Sequence, residues 1–447
     1  MHYEDFKKAV IEAAKEAGLK DYELYYASSE STKIDTFKNE VNGFSSSTEG
    51  GVCFRALVEG QMGYASTEDL SPEEAKAIVM RARENAGVLE VEEEQFFGEA
   101  GGVYETFEKK EYPLPETAEL IAAALKGQEL AYGADPRVVD GTSTVVMRLK
   151  ESIALYNSKG LDLSQEVSAA LTYTAAVVKE GEEMNNAFKF KSGSIQDWKQ
   201  EELVKEAVQA ALAKLGAQVA PTGNVPVVFS PEAMASFLGT FSSAFSAEAA
   251  QKGLSPLAGK EGEKIAADCV TLVDDPFHPD AIMPMPFDAE GMPTRRKNVI
   301  DKGTLTTLLY NLKTAKVAGG KTTGNASKPG YQGAVGISPF SFVLAAGEYS
   351  EEELLAKAGN GVYIQTVMGT HAGASPISGD FSLQSEGFMI ENGKKTYAVK
   401  AFTVAGNFYE MLKKVEAVGN NFKMDSFGMT SFGAPAVLVQ GLSIAGK

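Results

Sequence analysis

The chain is 447 residues long, 44% hydrophobic and 23% charged, and its 60 acidic and 42 basic side chains give a formal net charge of −18. That composition excludes a disordered chain and leaves room for two or three folded domains. The acidic excess argues against direct nucleic-acid binding, which relies on Lys and Arg to neutralise phosphates. The densest basic runs, Arg295-Arg296-Lys297 and Lys413-Lys414, are short and read as solvated surface.

The first region, residues 1–105, opens with an amphipathic helix in which Phe6, Val10, Ala13, Ala14 and Ala17 recur at three and four, with Gly18 as C-cap. Strands come next. Asp21 to Ser29 alternates Tyr22, Leu24 and Tyr26, and Gly51 to Leu57 meets Gln61 to Ala65 across a Glu59-Gly60 turn. Ser71 is an N-cap before Pro72, with Glu74 placed to complete a capping box, on a helix that stops near Gly87. The acidic stretch from about Glu90 to Gly102 reads as a linker or mobile segment.

The second region, residues 106–220, contains a helix from about Glu116 to Tyr132. Three alternating segments come after it, Arg137 to Lys150, Ser152 to Asn157 and Leu161 to Glu180, and predict antiparallel strands with a turn at Asn157 to Gly160. Trp198 to Gly216 reads as an amphipathic helix with Leu203, Ala207, Ala210, Ala211 and Leu215 on one face. The third region, residues 221–447, begins with the strand Asn224 to Phe229. Ser230 then caps a helix bearing Met234, Phe237, Leu238, Phe241 and Phe245 at helical spacing. From Val270 onward, glycine and short apolar runs predict a mostly β domain with long loops. The fold class is α+β: N-terminal α/β and antiparallel-sheet regions followed by a mostly β C-terminal domain.

Residues 1–8 are charged and lack the apolar core of a signal peptide, and no window approaches the roughly 18 apolar residues that span a membrane. A cytoplasmic protein without a membrane partner is the expectation. Cys53 and Cys269 offer neither a disulfide framework nor a paired-cysteine zinc site, and read as buried small hydrophobes.

Candidate chemistry is sparse. Gly320-Lys321-Thr322 ends what would be a phosphate loop only if position 315 were glycine, and it is Ala315. Of the three histidines, His2 belongs to the terminus. His278 stands among Asp274, Asp275 and Asp280, a set that suits either a divalent ion or a surface turn; Asp274 and Asp275 read as acceptors satisfying a turn. His371 stands among Gly369, Gly373, Ser375, Ser378 and Gly379. Glycines in such a loop let a ligand approach the backbone, or the loop is merely flexible and its histidine caps a carbonyl; both readings stay open. No Gly-x-Ser-x-Gly elbow supports a triad of Ser375 or Ser382 with His371 and Asp380.

A series of blocks in order, from Gly50-Gly51-Val52-Cys53-Phe54-Arg55 through Tyr156-Asn157-Ser158, Asp288-Ala289-Glu290-Gly291-Met292-Pro293-Thr294 and Thr323-Gly324-Asn325 to Gly379-Asp380-Phe381, resembles the TldD/PmbA metalloprotease family. By that resemblance, active members hold zinc on a His-Glu-x-x-x-His helix and a cysteine close to the C-terminus. This chain has no such run, the corresponding positions fall near Leu238, Gly239 and Ser243, and no cysteine follows Cys269. The resemblance therefore implies the PmbA (TldE) type, with no catalytic residue, metal or cofactor in this chain and zinc in a TldD-type partner. It further implies a heterodimer with that subunit or a homodimer, unfolded peptides as substrates in proteolysis, substrate contacts at His371, Gly379, Asp380 and Phe381, and an association with modulation of DNA gyrase. The alternatives are a stand-alone hydrolase working around His371 and Asp380, or a homodimeric peptide-binding module.

Overall fold

The computed structural model describes residues 1–88, 94–107, 112–425 and 430–446. Six strands, β1 (Asp21–Phe37), β2 (Glu40–Val58), β3 (Gln61–Thr67), β4 (Ser143–Asn157), β5 (Asp162–Glu180) and β6 (Glu183–Gly193), form one sheet in the order β3-β2-β1-β4-β5-β6. All pairings are antiparallel, and β1 lies directly against β4, so residues 21–193 build one sheet from both the first and second regions. The β1–β2 hairpin is longer than its hydrophobic alternation indicates. It turns at Lys38 and Asn39, both at positive φ, and its outer part pairs serines and threonines such as Ser31 with Ser47. That part alternates buried Thr32, Ile34 and Thr36 with more exposed residues, and because two of the three are polar the period-two apolar signal is weak.

Period-two alternation gives the sheet two different faces. Even-numbered residues of β1 point to the helices: Tyr22 and Leu24 pack with Phe6 and Val10 of α1 (Tyr3–Glu16) and Ile78 of α2 (Pro72–Asn85), while Ile34 meets Leu120 of α3 (Thr117–Ala134). Helix α4 (Gln200–Leu212) covers Ala176 and Val178 of β5 through Val204, Ala207 and Val208. On the opposite face Tyr25, Ile153 and Leu155 meet Met285, Phe287, Met292 and Phe340 of the C-terminal region.

Several local expectations are corrected. Ser71 accepts from the Glu74 N–H, but the Glu74 carboxylate pairs with Arg81 and closes no capping box. Of the stretch read as a linker, residues 90–93 lie outside the described residues, and the chain beyond them is docked. Phe97 is buried, the Gly98 carbonyl accepts from Asn157 at 2.9 Å, and the Tyr104 hydroxyl donates to the Gly291 carbonyl at 2.8 Å. Segments Arg137 to Lys150 and Ser152 to Asn157 merge into the single strand β4, which begins only at Ser143 and runs through Glu151 without a break in the ladder. Cys53 is buried but Cys269 is exposed in a turn.

The C-terminal region contributes β7 (Gln218–Val219), β8 (Gly223–Phe229), β9 (Leu272–Asp274), β10 (Lys297–Asp301), β11 (Thr304–Leu305), β12 (Ala326–Ser327), β13 (Gly336–Ile337), β14 (Ser341–Leu344), β15 (Gly361–Met368), β16 (Asp380–Glu391), β17 (Lys394–Asn407), β18 (Val415–Val418), β19 (Lys423–Asp425), β20 (Ser431–Ala434) and β21 (Val437–Ala445). Strand β21 pairs with both β8 and β17, closing β8-β15-β16-β17-β21 into a barrel. Helix α5 (Pro231–Phe241) is started by Ser230, whose hydroxyl accepts from the Ala233 N–H at 3.0 Å. Its aromatic face packs on the barrel strands, with Phe237 4.9 Å from Phe381 and Phe241 stacked 4.3 Å from Phe408. No helix among the described residues is long and apolar enough to cross a membrane.

A second sheet, in the order β11-β10-β9-β14-β20-β19, is tied by Asp274. This carboxylate is fully buried and accepts from the Phe340 N–H at 2.8 Å, Asn325 Nδ2 at 2.7 Å and Lys297 Nζ at 2.9 Å. Asp274 therefore satisfies an ion pair between strands rather than a turn, and Lys297 leaves the solvated basic cluster. Breaking a buried pair strands the remaining charge, so Asp274→Ala is expected to lower the unfolding free energy by about 3–5 kcal/mol, measured by urea denaturation.

Candidate functional site

Two places concentrate polar groups: the glycine loop singled out by sequence, and the junction between the first sheet and the C-terminal region. In the loop, His371 is exposed on the four-residue helix Thr370–Gly373. Asp380 is also exposed; Asn407 Nδ2 donates to it at 2.9 Å, and this bond, with Ser378 beside it, holds its carboxyl below the usual value. Gly379 turns the chain at φ +83, and a Cβ there would stand 2.4 Å from Cδ2 of Tyr409. Phe381 points inward, 3% exposed, between Phe237 and Phe241. The loop therefore leaves His371 and Asp380 exposed, while Gly379, packed at Tyr409, and Phe381, buried in the core, tie its C-terminal end to the barrel.

Gly379→Ala combines a strained left-handed backbone with a clash, and it is expected to cost about 1–3 kcal/mol, read as a lower thermal midpoint.

The residues around His278 do not converge. Asp274 turns into the sheet, and Asp275 accepts from the Phe277 N–H at 3.0 Å with Arg296 Nε 3.6 Å away. His278 Nδ1 accepts from the Asp280 N–H at 3.2 Å, and its ring lies 5.3 Å from that of Phe422. Among the described residues no three His, Cys, Asp or Glu side chains gather as a metal cluster.

On α5, Leu238 is 2% exposed within the barrel core, and Gly239 sits where a Cβ would touch the Phe432 ring at 3.4 Å. Ser243 lies beyond the helix end, exposed in the 3₁₀ turn Ser242–Phe245. An alkyl side chain, a glycine and a hydroxyl outside the helix do not make a zinc donor set, so these positions do not fit the ion.

Sequence reasoning missed the junction. Glu23 on β1 and Arg55 on β2 are register partners on the face opposite the helices. Arg55 Nε donates to Glu23 Oε1 at 3.0 Å, and the guanidinium lies 5.3 Å from the Phe97 ring centroid. Facing them is the Asp288–Thr294 loop. Asp288 accepts the N–H groups of Glu290 and Met292, each at 2.9 Å, and of Ala326 at 3.0 Å; Gly291 at φ +75 makes the turn possible. Glu290 Oε2 accepts from the Leu312 N–H at 2.8 Å. Of these groups, Asp288 also lines a cavity of about 330 Å³, together with Tyr25, Ile153, Phe287, Lys328 and Phe340, among others. The available signal was a glutamate and an arginine inside apolar, alternating strands.

Burial, with the Asp288 charge alongside, pushes the Glu290 carboxyl above its ordinary value of 4.5. Burial also raises Asp288, against the pull of its three backbone bonds. A carboxyl raised in the fold binds its proton more tightly there than in the unfolded chain. Its stabilising contribution is full below pH 4.5 and is lost as pH rises through the folded value. Glu290→Gln is therefore expected to flatten the fall in thermal midpoint above pH 4.5, measured across a pH series.

A single antiparallel sheet, helical on one side and sealed on the other by a barrel domain, defines the class of fold. Three models of known families cover it: PmbA/TldA metallopeptidase domain 1 at residues 22–86, the central domain at 110–215 and the C-terminal domain at 222–446. The chain belongs to the TldD/PmbA family. It is 26% identical over 424 residues to metalloprotease PmbA of Escherichia coli O157:H7, covering 93% of this chain and 90% of that one. A Thermotoga maritima structure, a candidate modulator of a DNA gyrase, superposes with TM-score 0.90 at 31% identity, covering 99% of this chain and all of that one. TldE from Thermococcus kodakarensis superposes with TM-score 0.89 at 27% identity, covering 98% and 99% respectively.

Proposed function

We propose that this chain is the metal-free, TldE-type subunit of a two-subunit peptidase, contributing scaffold and part of a channel for unfolded peptides while a TldD-type partner carries zinc and activates water. The observation that carries this reading is α5 and the 3₁₀ turn after it, where Leu238, Gly239 and Ser243 stand near the positions that the family resemblance assigns to the zinc motif. Leu238 and Gly239 are committed to packing there. The similarity to TldE of Thermococcus kodakarensis supports the same assignment. In this reading the exposed His371 and Asp380 contact the peptide, on a loop tied to the barrel by Gly379 and Phe381. A peptide drawn in as an extended strand is recognised mainly through its backbone, which favours unstructured substrates over any one sequence.

Metal content and turnover of an unstructured peptide, measured on the purified chain alone and after mixing with a TldD-type subunit, test the proposal. The chain alone is expected to hold no stoichiometric zinc and to be inert, with activity appearing in the mixture. Zinc-dependent turnover by the isolated chain overturns it and returns attention to His371 and Asp380.

A further inference from the structure

The junction cavity contains a buried cation that the peptide-channel reading does not use. Lys328, in the loop after β12, is 6% exposed, and its Nζ is fully covered without a hydrogen-bond partner. The ammonium rests 4.5 Å from the ring centroid of Tyr25, which lines the same cavity. Cation–π contact compensates only part of the lost hydration, since an ammonium has three N–H donors to satisfy. Nearby acceptors are already engaged or weak. Asp288 takes three backbone N–H groups, Glu23 Oε1 takes Arg55, and the neighbouring Cys53 thiol is a poor acceptor. Glu23 Oε2 lacks a hydrogen bond as well, yet no ion pair joins it to Lys328. Desolvation accordingly lowers the Lys328 pKa.

Much of the rest of the cavity wall is apolar, from Ile153, Met285, Phe287 and Phe340, with Asp288, Ser338 and Thr430 among its polar members, and its volume of about 330 Å³ matches a small ligand rather than a few waters. We propose that this cavity binds a small apolar carboxylate, the C-terminal residue of a peptide or a free acid, whose oxygens accept from Lys328 while its apolar body packs on Ile153, Phe287 and Phe340. Lys328 lines the cavity, and in this proposal rotation about its side-chain bonds brings the ammonium off the Tyr25 ring and onto the carboxylate. Asp288 lines the same cavity, but its oxygens are engaged by the N–H groups of Glu290, Met292 and Ala326, which offset its charge, and burial favours its protonated form. The site belongs to this chain alone and does not depend on the accessory-subunit reading.

The test is isothermal titration of the purified full chain with three probes: a short peptide ending in phenylalanine with a free carboxylate, the same peptide as its C-terminal amide, and 3-phenylpropionate. At least one of the two acids is expected to bind, and the peptide acid, if it is the ligand, about tenfold or more tighter than its amide. Binding by the peptide acid alone assigns a peptide C-terminus, and binding by phenylpropionate alone assigns a free acid. Lys328→Met, which keeps the stem and removes the charge, is expected to weaken that binding about tenfold or more without lowering the thermal midpoint. No binding by either acid, equal binding of peptide acid and amide, or unchanged affinity in Lys328→Met overturns the proposal. Were Lys328 only a counter-charge to Glu23, its replacement would lower the midpoint and leave affinity unchanged. Should Lys328→Met fail to fold, Ile153→Phe fills the cavity while sparing the lysine; retained binding in that variant overturns the proposal equally.

Discussion

Placing an ion pair on the inner face of a sheet obliges something else to cover it, and Arg55 with Glu23 does this between β1 and β2. Removing two charges from water costs several kcal/mol each unless their geometry and surroundings repay it. Here repayment comes from distant parts of the chain: Phe97 lies beneath the guanidinium, and the Asp288–Thr294 loop closes over the pair. The apolar half of that face, Tyr25, Ile153 and Leu155, is sealed by Met285, Phe287 and Phe340 of the same region. The sheet and the C-terminal region are therefore not independent modules in contact. Each supplies the covering that makes the other's buried face tolerable, and the residual cavity with Lys328 is where that covering is incomplete.

The barrel imposes a second constraint. Its closure depends on β21, which must satisfy β8 along one edge and β17 along the other. Residues alternate inward and outward along its strands, so Val227 and Phe229 join the inner core while Val228 faces Leu354 and Leu355 outside. Helix α5 is pressed into that core by stacked aromatic rings. A helix held this way has no freedom to present its Leu238 side to a ligand. Packing and the lack of donor atoms point the same way for this segment.

Much of the architecture was legible because local chemistry and tertiary structure agree. The Ser71 and Ser230 caps, the prolines after them, the Glu59-Gly60 turn and the Asn157 turn appear where the residue types place them. Where reading failed, a long-range partner had overridden local appearance. The mostly polar half of the β1–β2 hairpin is a strand through backbone pairing, with Ile34 packed on Leu120 and hydroxyl contacts such as Ser31 with Ser47. Lys297 looks like surface beside Arg295 and Arg296, yet the buried Asp274 claims it.

By itself the sequence determined the α+β class, the family blocks, the caps and turns, and the absence of a His-Glu-x-x-x-His run, since each is a property of residue types at short spacing. Tertiary structure alone decided that residues 21–193 share one sheet and that β21 closes the barrel. It also decided that Glu23, Arg55, Glu290 and Lys328, up to 305 positions apart in the chain, meet at one junction. The physical reason is that burial and pairing are set by which faces the topology brings together, and no local window contains both members of such a contact.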